Sequence, residues 1–235
     1  MKKMVVVAAF CALLSLGGFS ETVVGNGTIR TELRQLPRFS ALDLAGTANI
    51  HVHRGPQRLQ LSMDSNLLPL FVTEVSGSRL KLHFRSGVTI SGLTRLDIDI
   101  SLPELDGVDL SGEARAVIDE FSGASFESSI SGAAELAAVL NYKDMKLGLS
   151  GAGAMTLSGN SGTVTMSIDG AGRISARSLR VEGLALQVRG SGYAEVRARD
   201  SLTVQVDGMA SISYWGNPRL TQRVSGSGSV TRVGD

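Results

Sequence analysis

The chain has 235 residues with 23 Lys and Arg against 22 Asp and Glu, and it holds 28 Gly, 5 Pro, 1 Cys and 3 His. One cysteine excludes an internal disulfide framework or a zinc ribbon, and a formal net charge of +1 gives no overall pull towards nucleic acid or anionic lipid. At 43% hydrophobic residues the chain can bury a core, so the excess of glycine, about 12% against the usual ~7%, is not a sign of disorder.

Lys2 and Lys3 precede an apolar run from Met4 to Leu16, and Gly18 and Ser20 are small residues at the −3 and −1 positions of a cut after Ser20. The run is about 13 residues, short of the ~20 that span a bilayer, so residues 1–20 read as a signal peptide, not as an uncleaved anchor. Cys11 follows the bulky Phe10, which does not suit a lipid-attachment site. Cleavage removes the single cysteine together with Lys2 and Lys3, leaving 21 basic (23 less 2) against 22 acidic residues. The reading is an exported protein, in the periplasm or at the cell surface, with no transmembrane segment in the mature chain.

Residues 21–235 read as one domain. A first glycine, Gly46, has Leu44 two residues before it, Ala48 two after and Ile50 four after. Residues 47–103 then interrupt the pattern. Here Asn49–Arg54, Arg58–Met63, Phe71–Val75, Arg79–Phe84 and Leu96–Leu102 alternate as strands, and Gly55-Pro56-Gln57 and Ser76-Gly77-Ser78 are turn sequences, so the segment reads as antiparallel hairpins. It is expected to cover the N-terminal end of the periodic region downstream, because an open strand edge invites aggregation.

From residue 104 the glycines become periodic. Gly112, Gly132, Gly151, Gly170, Gly190, Gly208 and Gly226 succeed one another at 20, 19, 19, 20, 18 and 18 residues. With Gly46 they make eight copies, each with an apolar residue two before (Leu110, Ile130, Leu149, Ile168, Val188, Val206, Val224) and Ala or Gly two after. Upstream of each glycine the alternation has period two, as in Leu202-Thr203-Val204-Gln205-Val206, which is the period of a half-buried strand and not of a helix. The fold class is therefore all-β, a β-helix-like solenoid of ~19-residue turns with an N-terminal hairpin region. Each unit reads as strand, glycine corner, small residue, short strand, turn. No proline falls between Pro103 and Pro218, in keeping with internal strands whose every N–H is needed by the ladder. Beyond the last regular turns, Tyr214-Trp215-Gly216-Asn217-Pro218 is a candidate closing segment; the alternative is an end left open as a contact surface.

Catalytic machinery is not expected. No G-x-S-x-G elbow or Walker loop occurs, and Gly190-x-Gly192 opens a strand where a dinucleotide fingerprint would open a helix. His51 and His53 share one strand face; were His83 to meet them, three imidazoles could hold a transition metal, whereas the plainer reading is isolated surface histidines. No metal or cofactor is therefore assigned. Ten acids and one base lie between Asp97 and Glu135, and six arginines and two acids between Arg173 and Arg199. Such segregation reads as solvated outer faces, or as an axial charge gradient that orients homo-oligomeric stacking or binds a charged polymer. Paired carboxylates also raise polysaccharide hydrolysis, but Tyr142, Tyr193, Tyr214 and Trp215 are a thin supply of sugar-binding rings.

Several stretches resemble the putative auto-transporter adhesin head GIN domain family of bacterial envelope proteins. They are Gly25-Asn26-Gly27, Leu36-Pro37-Arg38-Phe39-Ser40-Ala41-Leu42-Asp43-Leu44-Ala45-Gly46, Asn66-Leu67-Leu68-Pro69 with Thr73-Glu74-Val75, and Ile100-Ser101-Leu102-Pro103-Glu104-Leu105 leading to Val108-Asp109-Leu110-Ser111-Gly112. The resemblance covers nearly the whole mature chain. It implies a β-helix-like solenoid in an exported bacterial protein with an adhesive role, and it brings no catalytic residues; the expected partner is an unidentified protein or polysaccharide at the cell envelope. Ala45-Gly46-Thr47-Ala48 and Asp207-Gly208-Met209-Ala210 depart from the family's Ser-Gly-x-Gly but keep the corner small.

Overall fold

The computed structural model describes residues 21–235, and the signal-peptide expectation for 1–20 lies outside the described residues. The N-terminal strands are β1 (Glu21–Val24), β2 (Ile29–Arg34), β3 (Ala41–Gly46), β4 (Asn49–Arg54), β5 (Arg58–Asp64), β6 (Phe71–Ser76), β7 (Arg79–Phe84), β8 (Val88–Ser91) and β9 (Leu96–Leu102). A short 3-10 helix, Leu68–Leu70, leads into β6. The repeating part comprises β10 (Gly107–Gly112), β11 (Arg115–Gly132), β12 (Glu135–Gly151), β13 (Ala154–Gly170), β14 (Arg173–Gly190), β15 (Tyr193–Gly208), β16 (Ser211–Trp215), β17 (Arg219–Gly226) and β18 (Ser229–Gly234).

The sequence repeat is the solenoid repeat. β3, β10, β11, β12, β13, β14 and β15 pair in parallel in that order, and β15 pairs with both β16 and β17. Gly46, Gly112, Gly132, Gly151, Gly170, Gly190, Gly208 and Gly226 fall in register across these ladders and form a single column. The apolar residues two before them form a parallel column inside: Ile130, Leu149, Ile168, Val188 and Val206 are buried, and each such side chain contributes roughly 1.5–3 kcal/mol by leaving water.

Between glycines the chain is one continuous strand and not two strands with a turn. In β12 the inward residues are Leu136, Ala138, Leu140 and Tyr142, then Met145, Leu147 and Leu149, with Lys143 and Asp144 both outward. Two successive outward residues shift the phase and let the strand bend, while its N–H and C=O groups keep their partners in the adjoining turns. The ladder accommodates the bends through register shifts between Ile118 and Glu120, Thr156 and Ser158, and Ala176 and Val181.

The N-terminal region adds a parallel layer and then turns antiparallel. β7 pairs in parallel with β3, and β6 closes on β7 as a hairpin. On the other side β4 pairs in parallel with β9, and β9, β5 and β2 lie side by side as antiparallel neighbours. The hairpin expected between β4 and β5 is therefore corrected: β9 lies between them, and Gly55-Pro56-Gln57 carries the chain across its end, where the Gly55 N–H donates to the Leu102 carbonyl at 2.9 Å. Alternation fixed the buried faces of β4 and β5 but not their neighbour; Ile98 and Ile100 of β9 complete both faces at once.

Asp64, wholly buried at the end of β5, ties this region together. Its carboxylate accepts the Gly27 N–H at 2.7 Å, the Thr94 N–H at 2.9 Å and the Thr94 hydroxyl at 2.9 Å. Beside it the Asn26 N–H donates to Asn66 Oδ1 at 3.1 Å, and Asn66 Nδ2 donates to the Val24 carbonyl at 2.8 Å. At the far end Tyr214 and Trp215 are buried, but the chain continues past them as β17 and β18, a last turn exposed along most of its length.

Candidate functional site

The corner column is a structural site. All eight of its glycines have positive φ, from 92° at Gly132 to 139° at Gly208. At Gly151 (φ 104°) a Cβ would also sit 2.7 Å from the Gly132 carbonyl oxygen of the turn below, whereas at Gly46, the first of the stack, it would meet nothing within 4 Å. A side chain is thus excluded twice over within the stack, by conformation and by the neighbouring backbone.

The bends opposite these corners build a groove of about 720 Å³ on the outer wall. Arg180, Arg197 and Arg199 come to it from successive bends of β14 and β15, and Asn141 and Asn160 from β12 and β13. An adjoining groove of about 250 Å³ shares Asn160, Arg180 and Arg197 and adds Arg177. The asparagines form a ladder: Asn160 Nδ2 donates to Asn141 Oδ1 at 2.8 Å, and Asn141 Nδ2 donates to Glu120 Oε1 at 2.7 Å.

The guanidinium groups are unequally committed. Arg199 pairs with Glu182 at 3.0 Å and with Asp200 at 2.8 Å. Arg177 stacks over the Trp215 ring at 4.7 Å. Arg197 donates through Nη2 to the Asp235 carbonyl at 3.2 Å, but its enclosed Nε has no partner. Arg180 has neither a hydrogen bond nor an ion pair among the described residues. Tyr142, which also lines the groove, is buried, and its hydroxyl donates to the Leu105 carbonyl. Burial, reinforced by Asp106, pushes that phenol far above its usual range.

The histidines separate into two sets. His51 and His53 lie on the outer face of β4, and in register beside His51 on β9 is Asp99. Nδ1 of His51 is 3.4 Å, and Nδ1 of His53 3.8 Å, from the same Asp99 oxygen, Oδ2. On the other side of His51, Nε2 lies 3.3 Å from Asp119 Oδ2 of β11. His83 is elsewhere, on β7, with Nδ1 2.8 Å from the Phe84 carbonyl. The three histidines therefore do not converge, while two of them meet a carboxylate that stands 48 residues from His51 in the chain (99 less 51). Only the strand order, with β9 against β4, brings it there.

Oppositely charged side chains meet across adjoining turns. Lys146 pairs with Glu127 at 2.8 Å, Arg115 with Glu135 at 2.8 Å and Arg189 with Asp169 at 3.4 Å, all as exposed pairs on adjoining turns. Such pairs contribute little stability, about 0–1 kcal/mol each.

Comparison with known proteins gives a consistent relationship. The family described as putative auto-transporter adhesin, head GIN domain, matches residues 38–218. Among solved structures, a putative adhesin from Bacteroides fragilis NCTC 9343 is 20% identical with a TM-score of 0.85, covering 90% of this chain and 100% of that one. A putative adhesin from Parabacteroides merdae ATCC 43184 is 21% identical with a TM-score of 0.74, over 91% and 99% of the two chains. A structure described as a putative lipid binding protein, from Parabacteroides distasonis ATCC 8503, is 20% identical with a TM-score of 0.77, over 91% and 100%. At these identities the likeness is one of fold. No curated protein matches the chain.

Proposed function

The chain belongs to the putative auto-transporter adhesin head GIN domain family, and on that premise we propose that it is an exported, non-enzymatic binding module of the cell envelope whose outer-wall groove takes an acidic polysaccharide. The leader-like segment at 1–20 and the adhesin-like relatives support export and binding. The groove supports the ligand class. Arginine forks match carboxylate, sulfate and phosphate oxygens, and the asparagine amides add neutral donors and acceptors suited to sugar hydroxyls. The observation that carries the reading is Arg180, a guanidinium with no partner among the described residues, beside the unpartnered Nε of Arg197. Like charges gathered in one groove repel, and an anionic chain lying along it removes that repulsion.

The same lining favours binding over reaction. Guanidinium groups stay charged, amides do not titrate, and Tyr142 holds its proton through burial and its bond to Leu105. Proton transfer needs a group poised near the working pH; the arginines, the asparagines and Tyr142 do not supply one, and Glu182, the carboxylate of the lining, is engaged with Arg199 at 3.0 Å.

Retention of the protein on immobilised acidic and neutral polysaccharides tests the reading. Retention on the acidic polymer is expected to fall steeply with salt and to be lost in the Arg180→Ala, Arg197→Ala double variant. Equal retention on both polymers, or retention untouched by the double variant, refutes it; capture of an envelope protein alone would move the ligand class from polysaccharide to protein.

A further inference from the structure

We propose that His51, His53 and Asp99 form a binding site for one divalent transition-metal ion, with Asp119 as the positioning residue of His51. Three features point the same way. The ligand atoms of the three residues lie within 4.8 Å of one another, and the two imidazole Nδ1 atoms face one carboxylate oxygen at 3.4 and 3.8 Å. Ligand atoms ~2.0–2.1 Å from a tetrahedral ion are about 3.4 Å apart, so the His51–Asp99 pair already has that spacing. His53 and Asp99 stand on the outer wall, where side-chain rotation can draw them in.

The second feature is the orphaned Nδ1 of His53, enclosed and without a hydrogen-bond partner. A buried polar atom left without a partner is costly, and a metal ion would satisfy it. The third is Asp119. Asp119 Oδ2 lies 3.3 Å from Nε2 of His51, so the tautomer with its proton on Nε2 places that proton beside a carboxylate and leaves the lone pair on Nδ1, the atom that faces Asp99. A carboxylate behind a ligating histidine sets its tautomer and raises its basicity in this manner.

Two neutral imidazoles and one carboxylate suit zinc, nickel, cobalt or copper better than calcium or magnesium, which take oxygen ligands. A groove of about 420 Å³ bordered by Gln60, Asp97, Asp99 and His51 adjoins the cluster and gives an ion a path from solvent and room for water or ligand oxygens in the remaining positions. The β strands hold the three side chains: His51 and Asp99 by the β4–β9 register, His53 by the two-residue period of the same strand. This site is independent of the arginine groove.

Titration of tag-free, metal-stripped protein with zinc by calorimetry, and with cobalt by visible absorption, tests the proposal. One ion per chain and cobalt ligand-field bands are expected. His53→Gln and Asp99→Asn should abolish stoichiometric binding, Asp119→Asn should weaken it about 10- to 100-fold, and His83→Gln should leave it unchanged. Unchanged melting of each variant without metal shows that its fold is intact. Should a variant fail to fold, histidine ring resonances of the wild-type protein decide: zinc is expected to shift His51 and His53 and not His83. No stoichiometric binding, binding that survives His53→Gln, or shifts confined to His83 overturns the proposal.

Discussion

At the scale of single residues, glycine and one aspartate show how differently sequence reports on structure. The eight corner glycines are legible because their reason repeats every turn, so the same small residue recurs at the same offset. Position within the stack now separates them. Gly151→Ala places a side chain both in a left-handed conformation and against the Gly132 carbonyl, and is expected to cost about 3 kcal/mol; Gly46→Ala suffers the conformation alone, about 1–2 kcal/mol. Thermal unfolding of the two variants should rank them in that order, and equal losses would mean that crowding between turns is unimportant. Asp64 is not legible in this way, because a lone acid after an apolar strand carries no periodic signal; its partners, Gly27 and Thr94, are set only by the folded cap. Burial acts to raise its pKa, but hydrogen bonds from Thr94 and Gly27 outweigh it and hold the carboxyl below the ordinary 3.8. A depressed folded pKa means stability that is complete above the unfolded value of 3.8 and is lost as pH falls through the lower folded value. The melting temperatures of wild-type protein and Asp64→Asn should therefore differ at neutral pH and converge as pH falls below 3.8 and through the lowered folded value. A constant difference across that window would show that Asp64 is not held ionised.

At the scale of elements, strand positions in the cap were legible and strand order was not. Alternation located Asn49–Arg54, Arg79–Phe84 and Leu96–Leu102 at the observed limits, since period two marks which residues face inward. It is silent on partners: β9 against β4 is what creates the His51–Asp99 contact. The regular strands differ in protection too. β13 and β14 are paired on both sides along their length, whereas β17 and β18 form an exposed final turn. Native-state amide exchange should be slowest in β12 to β14 and fastest in β17 and β18, with the cap strand β5 closer to the former because β2 and β9 flank it. Uniform exchange along the stack would instead indicate a single cooperative unit. Arg219 and Arg223 on β17 and Arg232 on β18 put charge on the open edge, a common safeguard against pairing with other chains.

At the scale of the whole molecule, a stack of turns converts a linear repeat into columns of like positions, and the outer columns present their side chains to solvent. The bend column carries asparagines through β12 and β13 and arginines through β14 and β15, so the groove changes from neutral donors to cations along the axis. Composition alone concealed this, because a net charge of +1 is the sum of acidic early turns and basic later ones. Because the inter-turn ion pairs are exposed and weak, salt should hardly alter stability while abolishing ligand capture. The most direct test is amide exchange of the protein with and without an acidic polysaccharide at low salt. Protection centred on the bends at 141–142, 160–162, 180–182 and 197–199 is the expected result; protection elsewhere on the solenoid, or none at a concentration that saturates retention, would contradict the assignment of this groove as the binding surface.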